Sequence, residues 1–63
     1  MKYNKGDLIE YKGMLILVKS VSQYNFYNLI PLYFPEQHLK NAYGTMTGMT
    51  ISYMDRFSSK VSK

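Results

Sequence analysis

The sequence predicts a small, mainly β fold: a five-stranded barrel with a short helical turn or an ordered loop between its third and fourth strands. With 63 residues, the chain has room for only one domain, which would span 1–63. Its apolar residues, 46% of the total, are typical of a chain that folds. They occur in short β-rich runs separated by turn residues, and this pattern indicates strands joined by turns.

The first two strands are predicted on either side of Lys12-Gly13. Two residues with Gly in second place suit a tight hairpin loop, because Gly adopts a positive φ without strain. In the run 14–18 apolar residues occupy both faces, which is typical of a strand that is covered on both sides or bends around a barrel.

A third strand is predicted at Phe26–Tyr33, a run rich in aromatic and branched residues. Pro31 has no N–H to give to a neighbouring strand, so this strand should reach an edge or a bulge near its end. The following segment, 34–45, has two interpretations. Pro35 and Glu36 suit a helix start and Asn41 a helix end, whereas an ordered loop fits the same residues nearly as well.

The last part of the chain is predicted to be a fourth strand at 45–54, a tight turn at 55–58 and a closing strand within 59–63. Gly48 interrupts the alternation of the fourth strand as a β-bulge would. The alternation assigns its residues to two faces, Met49, Ile51 and Tyr53 on one and Thr50, Ser52 and Met54 on the other.

This order of elements resembles the SH3-like small barrels found in short phage and mobile-element accessory proteins. The resemblance rests on Gly6-Asp7 before the first strand, on the three-strand meander, and on a closing part that runs from Ile51 to Phe57 and then to Lys60-Val61. It implies a barrel fold and, more narrowly, an inhibitor or regulator of a host protein. A fold of this kind hosts unrelated activities, so the resemblance concerns fold first.

The residues that carry chemistry are few, and we expect no enzyme. There is no Cys, a single histidine at His38, and no nucleophile-elbow or glycine-rich phosphate loop. Glu36 and His38 supply at most two metal ligands, whereas zinc needs three or four. We therefore expect no catalytic residues, no metal and no cofactor.

Location and membrane association follow from the apolar runs. The longest run, 14–18, has five residues, whereas a membrane-spanning helix needs about 20. The first five residues lack the apolar stretch of a secretory signal, and the absence of Cys fits a reducing compartment. The sequence thus predicts a soluble, cytoplasmic protein without a membrane partner.

One candidate surface is basic. The net charge is +4, and Lys2, Lys5, Lys60 and Lys63 lie near the two termini. Pairing of the last strand with the first would gather these lysines at one end, as a patch for phosphates. The alternative is that they are solubilising lysines on the chain ends.

The other candidate surface is aromatic and consists of Tyr24, Phe26, Tyr33, Phe34 and Tyr43. Exposed Tyr and Phe contribute much of the binding energy at protein interfaces. The alternative is that Phe26, Phe34 and Tyr33 belong to the core. The resulting hypothesis is a protein-binding module in which lysines steer an acidic target. A nucleic-acid-binding barrel that uses Lys and Tyr is the alternative function, and a homodimer is a further possibility.

Overall fold

The computed structural model describes residues 2–61, which form one antiparallel sheet and two short helices. The sheet order is β4-β3-β2-β1-β5, so the prediction of a mainly β fold with five strands is confirmed. None of the helices within this range is long and apolar enough to cross a membrane. The elements are β1 (Leu8–Tyr11), β2 (Met14–Val21), β3 (Phe26–Tyr33), α1 (Gln37–Tyr43), β4 (Gly48–Thr50), α2 (Ile51–Phe57) and β5 (Ser59–Lys60).

The sheet is open. Its edges are β4 and β5, and no pairing joins these two strands in the described part of the chain. The expected pairing of the last strand with the first is confirmed, since Ile9 lies opposite Lys60 and Val61 donates its N–H to the carbonyl of Leu8. The closing strand is nevertheless short, and Ser62 and Lys63 lie outside the described residues.

The predicted β1–β2 hairpin is confirmed. Tyr11 pairs with Met14, and the two loop residues between them, Lys12 and Gly13, have φ angles of 52° and 82°. Positive φ at both positions is the geometry of a type I′ turn, whose twist matches that of the strands. A Cβ at Gly13 would also lie 3.2 Å from Cγ of Pro35, so the turn leaves little room for a larger residue.

The third strand is confirmed at the predicted bounds, and it is irregular at its end as Pro31 predicted. Leu15 pairs with Tyr33 and Ile16 with Pro31, so Leu32 is an extra residue in β3. Leu29 donates its N–H to the carbonyl of Thr47 on the side away from β2. Two residues further on, the nitrogen of Pro31 is on the same side. The pairing with β4 has ended there, so the missing N–H costs no hydrogen bond between strands.

The prediction of a strand over 45–54 is wrong. Only Gly48–Thr50 is extended, and Ile51–Phe57 is helix α2, which also replaces the turn predicted at 55–58. The helix begins because Thr50 is extended and its side chain accepts a hydrogen bond from the N–H of Tyr53. Gly48 is not a bulge residue: it opens β4, where a Cβ would lie 3.0 Å from the carbonyl oxygen of Tyr27.

The segment after β3 is a helix rather than a loop, so the helical interpretation of 34–45 is confirmed. Helix α1 starts after Glu36, and its buried residue is Leu39. Helix α2 likewise buries Met54. Both residues pack into the core against one face of the sheet, which we call the inner face. The buried core consists of Tyr3, Ile9, Tyr11, Met14, Ile16, Val18, Tyr27, Leu29, Leu39 and Met54.

The cap at Thr50 predicts a measurable loss of stability. In Thr50→Ala the N–H of Tyr53 loses its side-chain acceptor. We expect the free energy of unfolding in urea to fall by about 1 kcal/mol. Thr45→Ala is the matched control, because Thr45 is exposed and lies outside any helix or strand. An equal change in the two variants would show that the cap does not hold the helix start.

Candidate functional site

The face of the sheet opposite the core is apolar. Its residues alternate along the strands with the buried ones, and register places them in rows across β1, β2 and β3. In one row Leu8 lies opposite Leu17, which lies opposite Ile30. We call this surface the outer apolar face, and it consists of Leu8, Leu15, Leu17, Ile30, Leu32 and Tyr33.

The outer apolar face is open to solvent on β3. Ile30 is 39% exposed, Leu32 52% and Tyr33 57%. Leu15 and Leu17 on the neighbouring strand are half-buried. Large apolar side chains with this exposure and in adjacent positions form a continuous patch rather than scattered surface residues.

The outer surface of the sheet continues towards the β2–β3 turn. Tyr24 is 70% exposed and Phe26 44%. Both line a cleft of about 490 Å³ together with Asn28, whose side-chain amide donates a hydrogen bond to the hydroxyl of Ser20 at 2.8 Å. Polar groups therefore separate the turn aromatics from Ile30.

The five aromatic residues predicted as one cluster do not lie together. Tyr24, Phe26 and Tyr33 are exposed on the outer side, but Phe26 and Tyr33 are at opposite ends of an eight-residue strand, roughly 23 Å apart. Phe34 and Tyr43 are half-buried and pack against the core. The five residues do not form one group because β3 is extended and its bulge changes which side chains share a face, and their use in binding stays a prediction.

Tyr43 belongs to a different group of tyrosines, near the β1–β2 hairpin. Its ring meets that of Tyr11 edge to face, with 5.9 Å between centroids, and its hydroxyl lies 3.3 Å from Nζ of Lys12. The hydroxyls of Tyr11 and Tyr53 are hydrogen-bonded to each other. Burial, followed by the hydrogen bond to Tyr53, raises the pKa of Tyr11, whereas hydrogen bonds with Tyr11 and Lys12 lower the pKa of Tyr43.

The hydroxyl of Tyr27 connects the N-terminal segment to α2 through hydrogen bonds. It accepts hydrogen bonds from the backbone N–H groups of Lys2 and Tyr3, both at 3.1 Å, and donates one to the carboxylate of Asp55. Burial, followed by the bond to Asp55, raises the pKa of Tyr27. This arrangement stabilises the fold, and no local pattern in the sequence indicates it, because its partners are 24 to 28 residues apart in the chain.

These pKa shifts predict a loss of stability at alkaline pH. Folding raises the pKa values of Tyr11 and Tyr27, so both protons are held more tightly in the folded chain. Their contribution is complete below the ordinary pKa of about 10 and is lost as pH rises through the folded values. The lowered pKa of Tyr43 acts in the opposite sense, on a less buried group.

We therefore expect the free energy of unfolding in urea to decrease between pH 9 and pH 11.5. Absorbance at 295 nm should show two tyrosines that ionise only as the chain unfolds. An unfolding free energy that stays level or rises over this range, with all tyrosines titrating before unfolding, would contradict the assignment.

Two lysines of the predicted basic patch, Lys2 and Lys60, contact the chain itself. Nζ of Lys2 donates to the carbonyls of Asp55 and Ser58, and Nζ of Lys60 lies 3.5 Å from Oδ1 of Asp7. Lys5 is exposed in the turn before β1, and Lys63 lies outside the described residues. The use of these lysines in binding stays a prediction.

No group of three or more His, Asp or Glu side chains within residues 2–61 is placed to hold a metal ion. His38 is exposed on α1. The outer apolar face carries large exposed apolar side chains, and patches of this kind suit molecular recognition. Comparisons with protein-family models, with curated proteins and with solved structures find no match to this chain.

Proposed function

We propose that the chain is a non-catalytic protein-binding module that docks its partner on the outer apolar face. The observation that carries the proposal is the exposure of Ile30, Leu32 and Tyr33 beside the half-buried Leu15 and Leu17. Contiguous apolar patches of this kind on a small domain mark interaction sites. Each square ångström of apolar surface that a partner covers contributes roughly 25 cal/mol before the costs of association.

The charges of the chain support a partner with acidic groups around its contact surface. The net charge is +4, and two of the four acids are in contacts within the chain: Asp7 lies beside Lys60, and Asp55 accepts from Tyr27. The net charge gives a positive field around the domain, which favours acidic groups at the contact surface of a partner.

A narrower form of the proposal is an SH3-like barrel that acts as a phage-type inhibitor or regulator of a host protein. The order β4-β3-β2-β1-β5 and the short helix before β5 support an SH3-like arrangement of strands, although the sheet itself is open. The inhibitor part is supported by the resemblance alone. Nucleic-acid binding ranks second, because Lys2 and Lys60 are in contact with Asp55, Ser58 and Asp7 rather than beside the exposed rings.

Site-specific photocrosslinking tests the protein-binding function. The photoreactive residue p-benzoylphenylalanine replaces Tyr33 in one variant and Phe57 in a control. These side chains are 57% and 54% exposed, but Phe57 is on α2, away from the outer apolar face. After irradiation in cells, we expect protein adducts from position 33 and few from position 57.

Two additional treatments make the result specific. The adducts should survive nuclease digestion and should disappear when Leu32→Glu is added, because a carboxylate among the apolar side chains of the contact is costly to bury. Adducts that form equally at both positions, or only while nucleic acid is intact, would overturn the protein-binding proposal. Circular dichroism confirms that each variant is folded.

A further inference from the structure

We infer that the outer apolar face is occupied by a second copy of the chain, in a two-fold symmetric dimer that packs sheet on sheet. The inference rests on the proposed function and names the partner as a second copy of the chain. The acidic group that this partner brings to the contact is Glu10, and its net charge of +4 slows the encounter rather than speeding it. Its basis is the self-complementary arrangement of the face, in which an apolar row lies between an acidic end and a basic end.

The centre of the contact is the row that contains Leu8, Leu17 and Ile30. Two sheets pack face to face about 10 Å apart, with side chains of both filling the space between them. Consider a two-fold axis that lies between the two sheets and runs along this row, perpendicular to the strands. It places the row of one protomer directly against the same row of its partner. Every contact there is apolar on both sides.

The ends of the face carry opposite charges. Glu10, at one end, is exposed in the row with Leu15 and Tyr33. Lys19, at the other end, is exposed at the bulge of β2 and lines a cleft with Ser20, Asn28 and Ile30. The rotation about the central row exchanges the two ends and thus brings Glu10 of one protomer to the Lys19 end of the other.

The alternative two-fold axis, parallel to the strands, is unfavourable. It leaves each end of the face against the same end of the partner, so that the Glu10 carboxylates approach each other and the Lys19 ammonium groups do too. Like charges across an interface cost affinity. The charges therefore select the axis along the row of Leu8, Leu17 and Ile30.

The size of the face sets the expected affinity. The strands β1, β2 and β3 have four, eight and eight residues, and at a spacing of about 4.8 Å they give a footprint of roughly 300 Å² before side chains are counted. With the rim included, we expect the dimer to bury on the order of 1,000 Å² in total, the lower limit for a specific interface. The total accessible surface of the described chain is 4351 Å². The dissociation constant should be about 10–100 μM.

Sedimentation equilibrium between 5 μM and 1 mM tests the dimer. We expect a reversible monomer–dimer equilibrium, and at least tenfold weaker association in Leu32→Glu. Phe57→Glu is the matched control, since Phe57 is 54% exposed and Leu32 52%, and it should associate as the natural chain does. A natural chain that is monomeric at 1 mM, or an equal loss in both variants, would overturn the inference.

A charge exchange tests the axis. In 50 mM salt, Glu10→Lys and Lys19→Glu should each weaken the dimer roughly 3–10-fold, and the double variant should restore it. A double variant as weak as the two singles combined would overturn the proposed arrangement.

The crosslinking at position 33 separates this inference from the proposed function. An adduct of two copies of the chain supports the dimer. Adducts to other proteins alone, lost in Leu32→Glu, would overturn the dimer and leave protein binding intact, whereas no protein adducts at all would overturn both.

Discussion

Replacement of Met54 by alanine is expected to lower the free energy of unfolding by about 2–5 kcal/mol. Met54 is fully buried and is the buried residue of α2, so its side chain connects this helix to the core. Truncation of the side chain to alanine removes its apolar contacts. It also leaves a cavity, because the short helix cannot move far enough to close it. Domains of this size have roughly 3–5 kcal/mol of stability, so a large fraction of the Met54→Ala molecules should be unfolded at 25 °C. Urea titration measured by circular dichroism gives the value.

Phe57→Ala is the control, because Phe57 is on the same helix but 54% exposed, and we expect a loss below about 1 kcal/mol. This pair of variants also distinguishes the helix from the strand that alternation predicts at 45–54, in which Met54 shares a face with Thr50 and Ser52. A small effect of Met54→Ala would contradict the position of α2 against the core.

The second large effect is expected for Tyr27→Phe, which removes a single oxygen atom. That oxygen accepts from two backbone N–H groups and donates to Asp55. Without it the buried N–H of Tyr3 loses its acceptor, and the carboxylate loses a charge-assisted bond. We expect the free energy of unfolding to fall by about 2–4 kcal/mol.

The control for Tyr27→Phe is Tyr24→Phe, since Tyr24 is 70% exposed and should change stability by less than about 0.5 kcal/mol. The alkaline loss of stability should also be smaller in Tyr27→Phe, because one raised tyrosine pKa is gone. Equal stabilities of the two variants would show that the Tyr27 hydroxyl does not hold the N-terminal segment to α2.

The parts of the fold that could be predicted depend on local chemistry. The β1–β2 hairpin follows from Lys12-Gly13, because Gly13 accepts a positive φ and a loop of two residues defines the turn and the register together. The irregular end of β3 follows from Pro31, which has no donor for a neighbouring strand. In both places one residue type restricts the backbone regardless of the rest of the chain.

Helix α2 could not be predicted from alternation, because its sequence fits two periods. Met49, Ile51 and Tyr53 alternate as a strand would, whereas Ile51 and Met54 are also three apart, as on one face of a helix. The cap at Thr50 and the burial of Met54 favour the helix over the strand. Burial is a property of the folded chain, so the sequence alone leaves both readings open.

The sequence contains one indication of the outer apolar face, namely the run 14–18, which has apolar residues on both faces of the strand. That pattern predicts a strand covered on both sides or bent around a barrel, and it also fits a strand with one face in the core and the other in an interface. The predicted aromatic cluster mixed the two sides, since Tyr33 is on the outer face but Tyr43 packs against Tyr11. Strand register, which the sequence does not show, separates them.

The most direct measurement of the outer apolar face is methyl NMR of the chain at 5 μM with a soluble gadolinium complex, which speeds the relaxation of groups that touch solvent. We predict strong relaxation enhancement for the methyls of Ile30 and Leu32 and little for those of Ile9 and Ile16, which are fully buried. Protection of Ile30 and Leu32 equal to that of Ile16 would mean that the chain covers this face itself, and would contradict its use in binding.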